Sequence, residues 1–259
     1  MTRPLFFGPG DAVRAATPGG RFVLGGDEGR HASLVRRLTA GERLDVTDGA
    51  GYRLEGVIVA VGTGTVELRV VAAGQEPGPA HRLVLVQALA KGGRDEQAVE
   101  AATELGVDIV VPWHAERSIV RWRGDKAEKG RQKWVSLVGA ASKQSRRSFV
   151  PEVLPVMDTS RLAAWASTVD RLIILHEDAE TSLAEQIGRL APVGELGEQP
   201  DTQSTTALVV GPEGGISEAE VGKLLAVGAS TARLGPHVLR SSSAGPAALV
   251  LLNHLLGRW

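Results

Sequence analysis

Two glycine-rich stretches hold the residue types from which a ligand site can be built. Gly211-Pro212-Glu213-Gly214-Gly215 follows the apolar, β-prone run Ala207-Leu208-Val209-Val210. It precedes Ile216-Ser217-Glu218-Ala219-Glu220, which reads as a helix start. Ser217 can cap that helix, and Glu220 three residues on completes a capping box. The stretch is therefore strand, glycine-rich turn and helix. In an open α/β sheet this puts the turn at the carboxyl end of a strand, where ligands bind. Its glycines let backbone groups approach a ligand with no side chain in the way. One helix later Leu234-Gly235-Pro236-His237-Val238-Leu239-Arg240 has the same look and ends in a cation. Glycine and proline alone would equally mark two tight turns of an ordinary α/β domain.

The chemistry such turns could serve is narrowed by what is missing. No G-x-x-x-x-G-K-[ST] occurs, and no strand is followed by G-x-G-x-x-G. Lys91-Gly92-Gly93-Arg94 after a strand could hold an anion, but Glu213 would repel a phosphate from the Gly211 turn. A ligand with a positive centre, such as S-adenosylmethionine, fits better there. His31, His81, His114, His176, His237 and His254 are dispersed with no i, i+4 ligand pair, and there is no cysteine, so metal and disulfide chemistry find no support. Ser241-Ser242-Ser243 lacks the G-x-S-x-G elbow of a nucleophilic serine.

The elements that must position these turns follow from the hydrophobic pattern. Residues 1–73 read as small and β-rich, with alternating strands over 21–24, 43–47, 52–59 and 65–70 and one short helix over 27–38. The basic residues of this part are all arginine. Gln75-Glu76-Pro77-Gly78-Pro79 reads as a linker. Beyond it, apolar strands over 83–89, 107–111, 172–175 and 207–210 alternate with helices over 95–105 and 126–145, which implies a parallel sheet covered on both faces. The polar stretch 195–205 reads as a surface loop. A final helix opens at Gly245-Pro246 and has no polar face over 247–252, so it must be buried against the sheet or another subunit, with His254 as a packing residue.

An apolar content of 43% supplies a core despite 4% aromatic residues. The net charge of −1 hides an asymmetry. Residues 117–147 hold ten Lys and Arg against Asp125 and Glu128, whereas 148–201 hold three Arg against ten acidic residues. The basic stretch, with Trp113, Trp122 and Trp134 nearby, points to nucleic acid, since aromatic rings stack unpaired bases. No run is long and apolar enough for a membrane span or a signal peptide, so a cytoplasmic protein is expected.

Taken together, these stretches resemble the SPOUT methyltransferases, and within them the RsmE type, which methylates N3 of a uridine in small-subunit ribosomal RNA. The resemblance rests on the two turns, on Thr103-Glu104-Leu105-Gly106-Val107, on Glu116-Arg117-Ser118 and on Ala141-Ser142-Lys143-Gln144-Ser145-Arg146-Arg147. In the first part, His31-Ala32-Ser33-Leu34-Val35-Arg36, Gly41-Glu42 and Asp48-Gly49 look like that family's PUA-like RNA-binding domain. The resemblance implies an α/β protein: a PUA-like β-barrel over 1–73, then a SPOUT domain over 80–259 with a parallel sheet and a C-terminal trefoil knot. It implies S-adenosylmethionine held by Leu175, His176, Glu177, Gly211, Pro212, Glu213, Gly214, Gly215, Leu234, Gly235, Val238 and Leu239. It further implies 16S ribosomal RNA as substrate, within a small subunit or its precursor, contacted by Arg36, Arg37, Lys91, Lys143, Arg146 and Arg147, and a homodimer with no metal and no membrane. Arg240 is the expected catalytic residue, with Arg147 second, stabilising the charge left when N3 loses its proton. Two positions beyond Arg240 the family usually has an acid; here it is Ser242. The alternatives are a SPOUT enzyme acting on another RNA, such as a transfer RNA ribose, and a non-enzymatic RNA-binding assembly factor.

Overall fold

Alternation in the first part of the chain gives strands that bury one face each. The computed structural model describes residues 3–188 and 204–259, and the chain forms two compact units, Met1–Gly78 with Ser142–Val150, and Pro79–Ala141 with Pro151–Trp259.

The first unit runs β1 (Leu5–Phe7), α1 (Gly10–Ala15), β2 (Arg21–Leu24), α2 (Gly26–Arg30), β3 (Arg43–Thr47), β4 (Tyr52–Gly62) and β5 (Thr65–Gln75). The strands form one sheet in the order β1-β3-β4-β5-β2, parallel only between β1 and β3. Alternate residues, Phe22 and Leu24, Leu44 and Val46, Leu54 and Ile58, Leu68 and Val70, fill its core. Gly56 lies between Leu54 and Ile58 because a Cβ there would come within 3.0 Å of Leu68. The helix expected over 27–38 is shorter and irregular: α2 gives way to a π-helical turn over His31–Val35, and Arg37 adopts a left-handed φ of 53°. Residues 148–150 complete the unit, with Ala50 bridged to Phe149 and the Val150 N–H donating to the Gly49 carbonyl at 2.9 Å.

The second unit runs β6 (His81–Ala88), α3 (Arg94–Glu104), β7 (Ile109–His114), α4 (Asp125–Ser145), β8 (Glu152–Val153), β9 (Met157–Asp158), α5 (Thr159–Trp165), β10 (Arg171–Leu175), α6 (Leu183–Gly188), β11 (Ser204–Val210), α7 (Glu218–Leu225), β12 (Ser230–Ala232) and α8 (Ser241–Leu255). Every strand pair is parallel, in the order β12-β10-β11-β6-β7-β8, with β9 also on β7. Leu83 to Ala88 are all fully buried, the polar Gln87 included, as a strand covered on both faces requires. Most of the polar stretch 195–205 lies outside the described residues, but Ser204 and Thr205 already belong to β11.

The last helix departs from expectation. It begins at Ser241, not at Gly245-Pro246, and Pro246 lies inside it. Proline there removes one hydrogen bond near the start of the helix, where the ladder is least complete. Gly245 is needed instead for close packing, since a Cβ would come within 2.8 Å of Leu85 on β6. Leu249 and Leu252 are fully buried by the chain itself, while His254 is exposed and the packed polar residue is Asn253. Asn253 donates to the Leu105 carbonyl at 2.7 Å and Arg258 to the Gly106 carbonyl at 3.0 Å, capping the end of α3.

Candidate active site

Three neighbouring strands, β12, β10 and β11, end side by side, and the chain visits them in the order β10, β11, β12. The connections therefore change direction around β10, the arrangement that opens a crevice beyond the carboxyl ends of parallel strands. Three loops enter this crevice: 175–178 after β10, 211–217 after β11 and 234–240 after β12.

The Gly211 turn is built as a strand-to-helix corner. Gly215, at φ +73°, donates its N–H to the Pro212 carbonyl at 2.9 Å, and Ser217 and Glu220 form the expected capping box. The glycines have neighbours of their own. A Cβ on Gly211 would lie 2.6 Å from Ile216, and one on Gly214 would lie 3.3 Å from the Cβ of Arg117. Room at these positions is used by the protein itself, not only by an approaching ligand.

The loops line an open cavity of about 790 Å³. Leu175, His176, Glu177, Gly211, Pro212, Glu213, Gly214, Gly215, Leu234, Val238, Leu239 and Arg240 all line it; Gly235 does not. Sequence reasoning did not assign Arg94, Arg117, Asp178, His237 or Ser241 to the site, yet they line the cavity as well. Arg117 lies in the quoted Glu116-Arg117-Ser118 stretch, which was the available signal. Ser242, in the position of the missing acid, does not line the cavity, whereas Glu177, Asp178, Glu213 and Glu218 supply carboxylates there.

The charge of Glu213 is not the free negative charge that the sequence suggests. Arg94 donates to it at 2.7 Å. Partial burial opposes its ionisation, but backbone and Arg94 hydrogen bonds, with Arg94 and Lys91 nearby, hold its pKa below the usual range. Lys91 thus acts on the site's electrostatics without lining the cavity. Arg117 donates to the Gly214 carbonyl at 3.0 Å, a neutral partner. Arg240 precedes α8 in extended backbone, and its carbonyl accepts from the N–H groups of Ser243 and Ala244 at 2.8 and 2.9 Å. No carboxylate among the described residues pairs with Arg117 or Arg240.

Glu220 does more than cap its helix. It is buried, and its Oε1 accepts the Glu116 N–H at 2.8 Å and the Thr159 hydroxyl at 2.6 Å. One carboxylate therefore fixes the Gly211 turn and the chain around Arg117 together.

The basic segment is less available than its composition implies. Trp113 and Trp134 are fully buried, so these two rings are core and not platforms for bases, while half-buried Trp122 packs edge-on to Trp134 at 5.2 Å. Arg131 pairs with Glu128, holding that carboxyl down to about 2 together with Gln132, and Lys133 pairs with Glu96. In the first unit Lys143 donates to both oxygens of Glu28, at 2.9 and 2.7 Å, contacts His31 at 3.0 Å and sits 4.8 Å from the centre of the Phe6 ring. Arg36, Arg37 and Arg146 are exposed there, and Arg146 has a left-handed φ of 60°.

Comparison with known proteins places this architecture. The model of a family described as RNA methyltransferase domain matches residues 76–253. The chain belongs to the RNA methyltransferase family. Within it, a companion model described as RNA methyltransferase PUA domain matches residues 24–71. Family members with similar sequences include the ribosomal RNA small subunit methyltransferase E of Mycobacterium bovis, 37% identical over 92% of this chain and 87% of the relative. The protein of the same name from Bacillus subtilis is 27% identical over 90% of each. Among solved structures, a ribosomal RNA small subunit methyltransferase E from Neisseria gonorrhoeae bound to S-adenosyl methionine superposes with a TM-score of 0.76 at 25% identity, over 98% of each chain. A putative methyltransferase from Legionella pneumophila in complex with the same cofactor gives 0.79 at 27%, over 98% of each chain.

Proposed function

We propose that the protein transfers a methyl group from S-adenosylmethionine to N3 of a specific uridine in 16S ribosomal RNA, in the cytoplasm. The observation that carries this reading is the cavity between the ends of β10, β11 and β12. Its size suits a nucleoside-sized ligand. Leu175, Val210, Ile216, Leu234 and Leu239 offer apolar walls, and Glu177 and Asp178 offer negative charge toward a positive centre.

S-adenosylmethionine, when bound, supplies an activated methyl on its sulfonium. The residues of the chain do the rest. Leu175, His176 and Glu177, the Gly211 turn and the Leu234 loop would hold it, with backbone groups forming much of the contact. Uridine N3 becomes a nucleophile only as its proton passes to solvent, which spreads charge over N3 and the two ring carbonyl oxygens. Arg240, unpaired and at the cavity wall, stabilises that charge. Glu213 is engaged by Arg94 and held ionised, so it shapes the field of the site.

We assign RNA binding by the first unit to Arg36, Arg37, Arg146 and Arg147. Lys143, already paired with Glu28, contributes to the fold of that unit. Two further features belong to this reading. The return of α8 from edge strand β12 onto β6 and β11 supports a threaded, knotted C-terminal segment. The exposed Val238, Leu239 and Val250 support a homodimer that covers them.

The test is methylation of small subunits lacking the modification, with the product nucleoside identified by mass spectrometry. The expected product is 3-methyluridine. A 2′-O-methyl product would identify a different target, and RNA binding without methyl transfer would identify an assembly factor.

A further inference from the structure

Between β7 and α4 the chain carries three exposed arginines, Arg117, Arg121 and Arg123. Arg117 donates to the Gly214 carbonyl and Arg121 to the Glu116 carbonyl, at 3.0 and 2.6 Å. No carboxylate among the described residues forms an ion pair with any of the three. Of the other cations nearby, Arg94 is engaged by Glu213, Arg131 by Glu128 and Lys133 by Glu96, while Lys126 and Lys129 on α4 form no ion pair with a described residue. A polyanion meeting the three arginines breaks no internal ion pair.

The segment is also held in place. At its start the Glu116 N–H donates to buried Glu220, and near its end the Trp122 N–H donates to His114 Nε2 at 2.7 Å. The Trp122 ring lies so close to Gly130 that a Cβ there would come within 2.5 Å of it. A fixed backbone lowers the ordering cost of binding. Arg117 lines the cavity, and Arg121 and Arg123 follow it along the chain outside the cavity lining.

We propose that segment 115–124 docks the RNA backbone beside the target nucleotide, with Arg117 on the phosphate nearest the cavity and Arg121 and Arg123 on flanking phosphates. The inference rests on the reading of the protein as a ribosomal RNA methyltransferase and names where that RNA enters.

The experiment compares two double variants with the same change of charge: Arg121→Gln with Arg123→Gln, and Arg131→Gln with Lys133→Gln. Binding to small ribosomal subunits is measured across a salt series, together with S-adenosylmethionine affinity and melting temperature as controls. The first variant should bind at least tenfold more weakly at moderate salt and flatten the salt slope by roughly 0.7 per lost phosphate contact, the value for single strands. Its cofactor affinity should be unchanged. The second should keep the wild-type slope. An unchanged slope in the first variant, or equal losses in both, would overturn the proposal. If the wild type transfers no methyl group, the functional reading fails, and the salt comparison still decides where RNA docks.

Discussion

The Arg117 guanidinium donates to the Gly214 carbonyl at 3.0 Å, and the Cβ of Arg117 lies 3.3 Å from where a Cβ on Gly214 would sit. The glycine is therefore a packing partner of the arginine. Gly214→Val must displace Arg117 by a few tenths of an ångström or shift the turn. A turn displaced from its cofactor contacts should lower S-adenosylmethionine affinity by about tenfold or more by calorimetry, which is about 1.4 kcal/mol of binding free energy. Gly211→Ala acts differently. Its Cβ would strike buried Ile216, so the loss should appear in thermal stability as well as in affinity. Unchanged affinity in a folded Gly214→Val protein would remove this turn from the site.

Burial on α8 separates folding from assembly. Leu252 is fully buried within the chain, so Leu252→Arg places an unpaired charge in the core and should yield insoluble or unfolded protein. Val250 is 42% exposed on the same helix. Val250→Arg should fold and sediment as a monomer at micromolar concentration, where the proposed homodimer requires the wild type to sediment as a dimer. A soluble, folded Leu252→Arg protein, or a dimeric Val250→Arg protein, would contradict these assignments.

The 115–124 segment should loosen in acid. His114 Nε2 accepts the Trp122 N–H, which only a neutral ring can do. Burial first, then Arg121 and Arg123, lower its pKa below 6.5, against a smaller opposing pull from Asp158. A histidine depressed in the folded state contributes stability that is fully present above 6.5 and is lost as pH falls through the folded value. His81, lowered by burial, Arg171 and Arg258, titrates in the same sense. Melting temperature should therefore fall below pH 6.5, and His114→Gln should fall less steeply than wild type. Identical slopes would show that this contact does not titrate.

The sequence made the Gly211 corner legible because its signals are local: a buried strand, glycines, and Ser217 with Glu220 at capping distance. The twelve cofactor residues expected from family resemblance fall around one cavity except Gly235. What local pattern could not reveal were partners distant in sequence. Glu213 looks like a free anion until Arg94, over a hundred residues away, is placed beside it. Trp113 and Trp134 look like stacking platforms until burial shows them to be core. Gly245 and Pro246 look like a helix start, whereas Gly245 answers to Leu85 on another strand. β1 was missed because its three residues, Leu5-Phe6-Phe7, are too few for alternation to register, and its partner β3 is remote.

Arg240 should act in the chemical step more than in binding. A guanidinium stays protonated at any working pH and cannot be the base, but it can stabilise the uridine anion. Arg240→Ala should bind cofactor normally and lower the single-turnover rate by roughly 10²–10³-fold, as for loss of a fixed donor at a developing oxyanion. Arg240→Lys keeps the charge without the planar fork and should fall between. Raising pH should partly rescue Ala, because more of the uridine is then deprotonated. A loss accounted for by weaker cofactor binding, with no rescue at higher pH, would make Arg240 a positioning residue.

The most direct test is a single-turnover reaction of the purified protein with methyl-labelled S-adenosylmethionine and small ribosomal subunits lacking the modification, followed by digestion and mass spectrometry of the nucleosides. The label should appear in one product, 3-methyluridine, from 16S ribosomal RNA. Label on a ribose 2′-oxygen, on another base, or on no nucleoside would contradict the assignment.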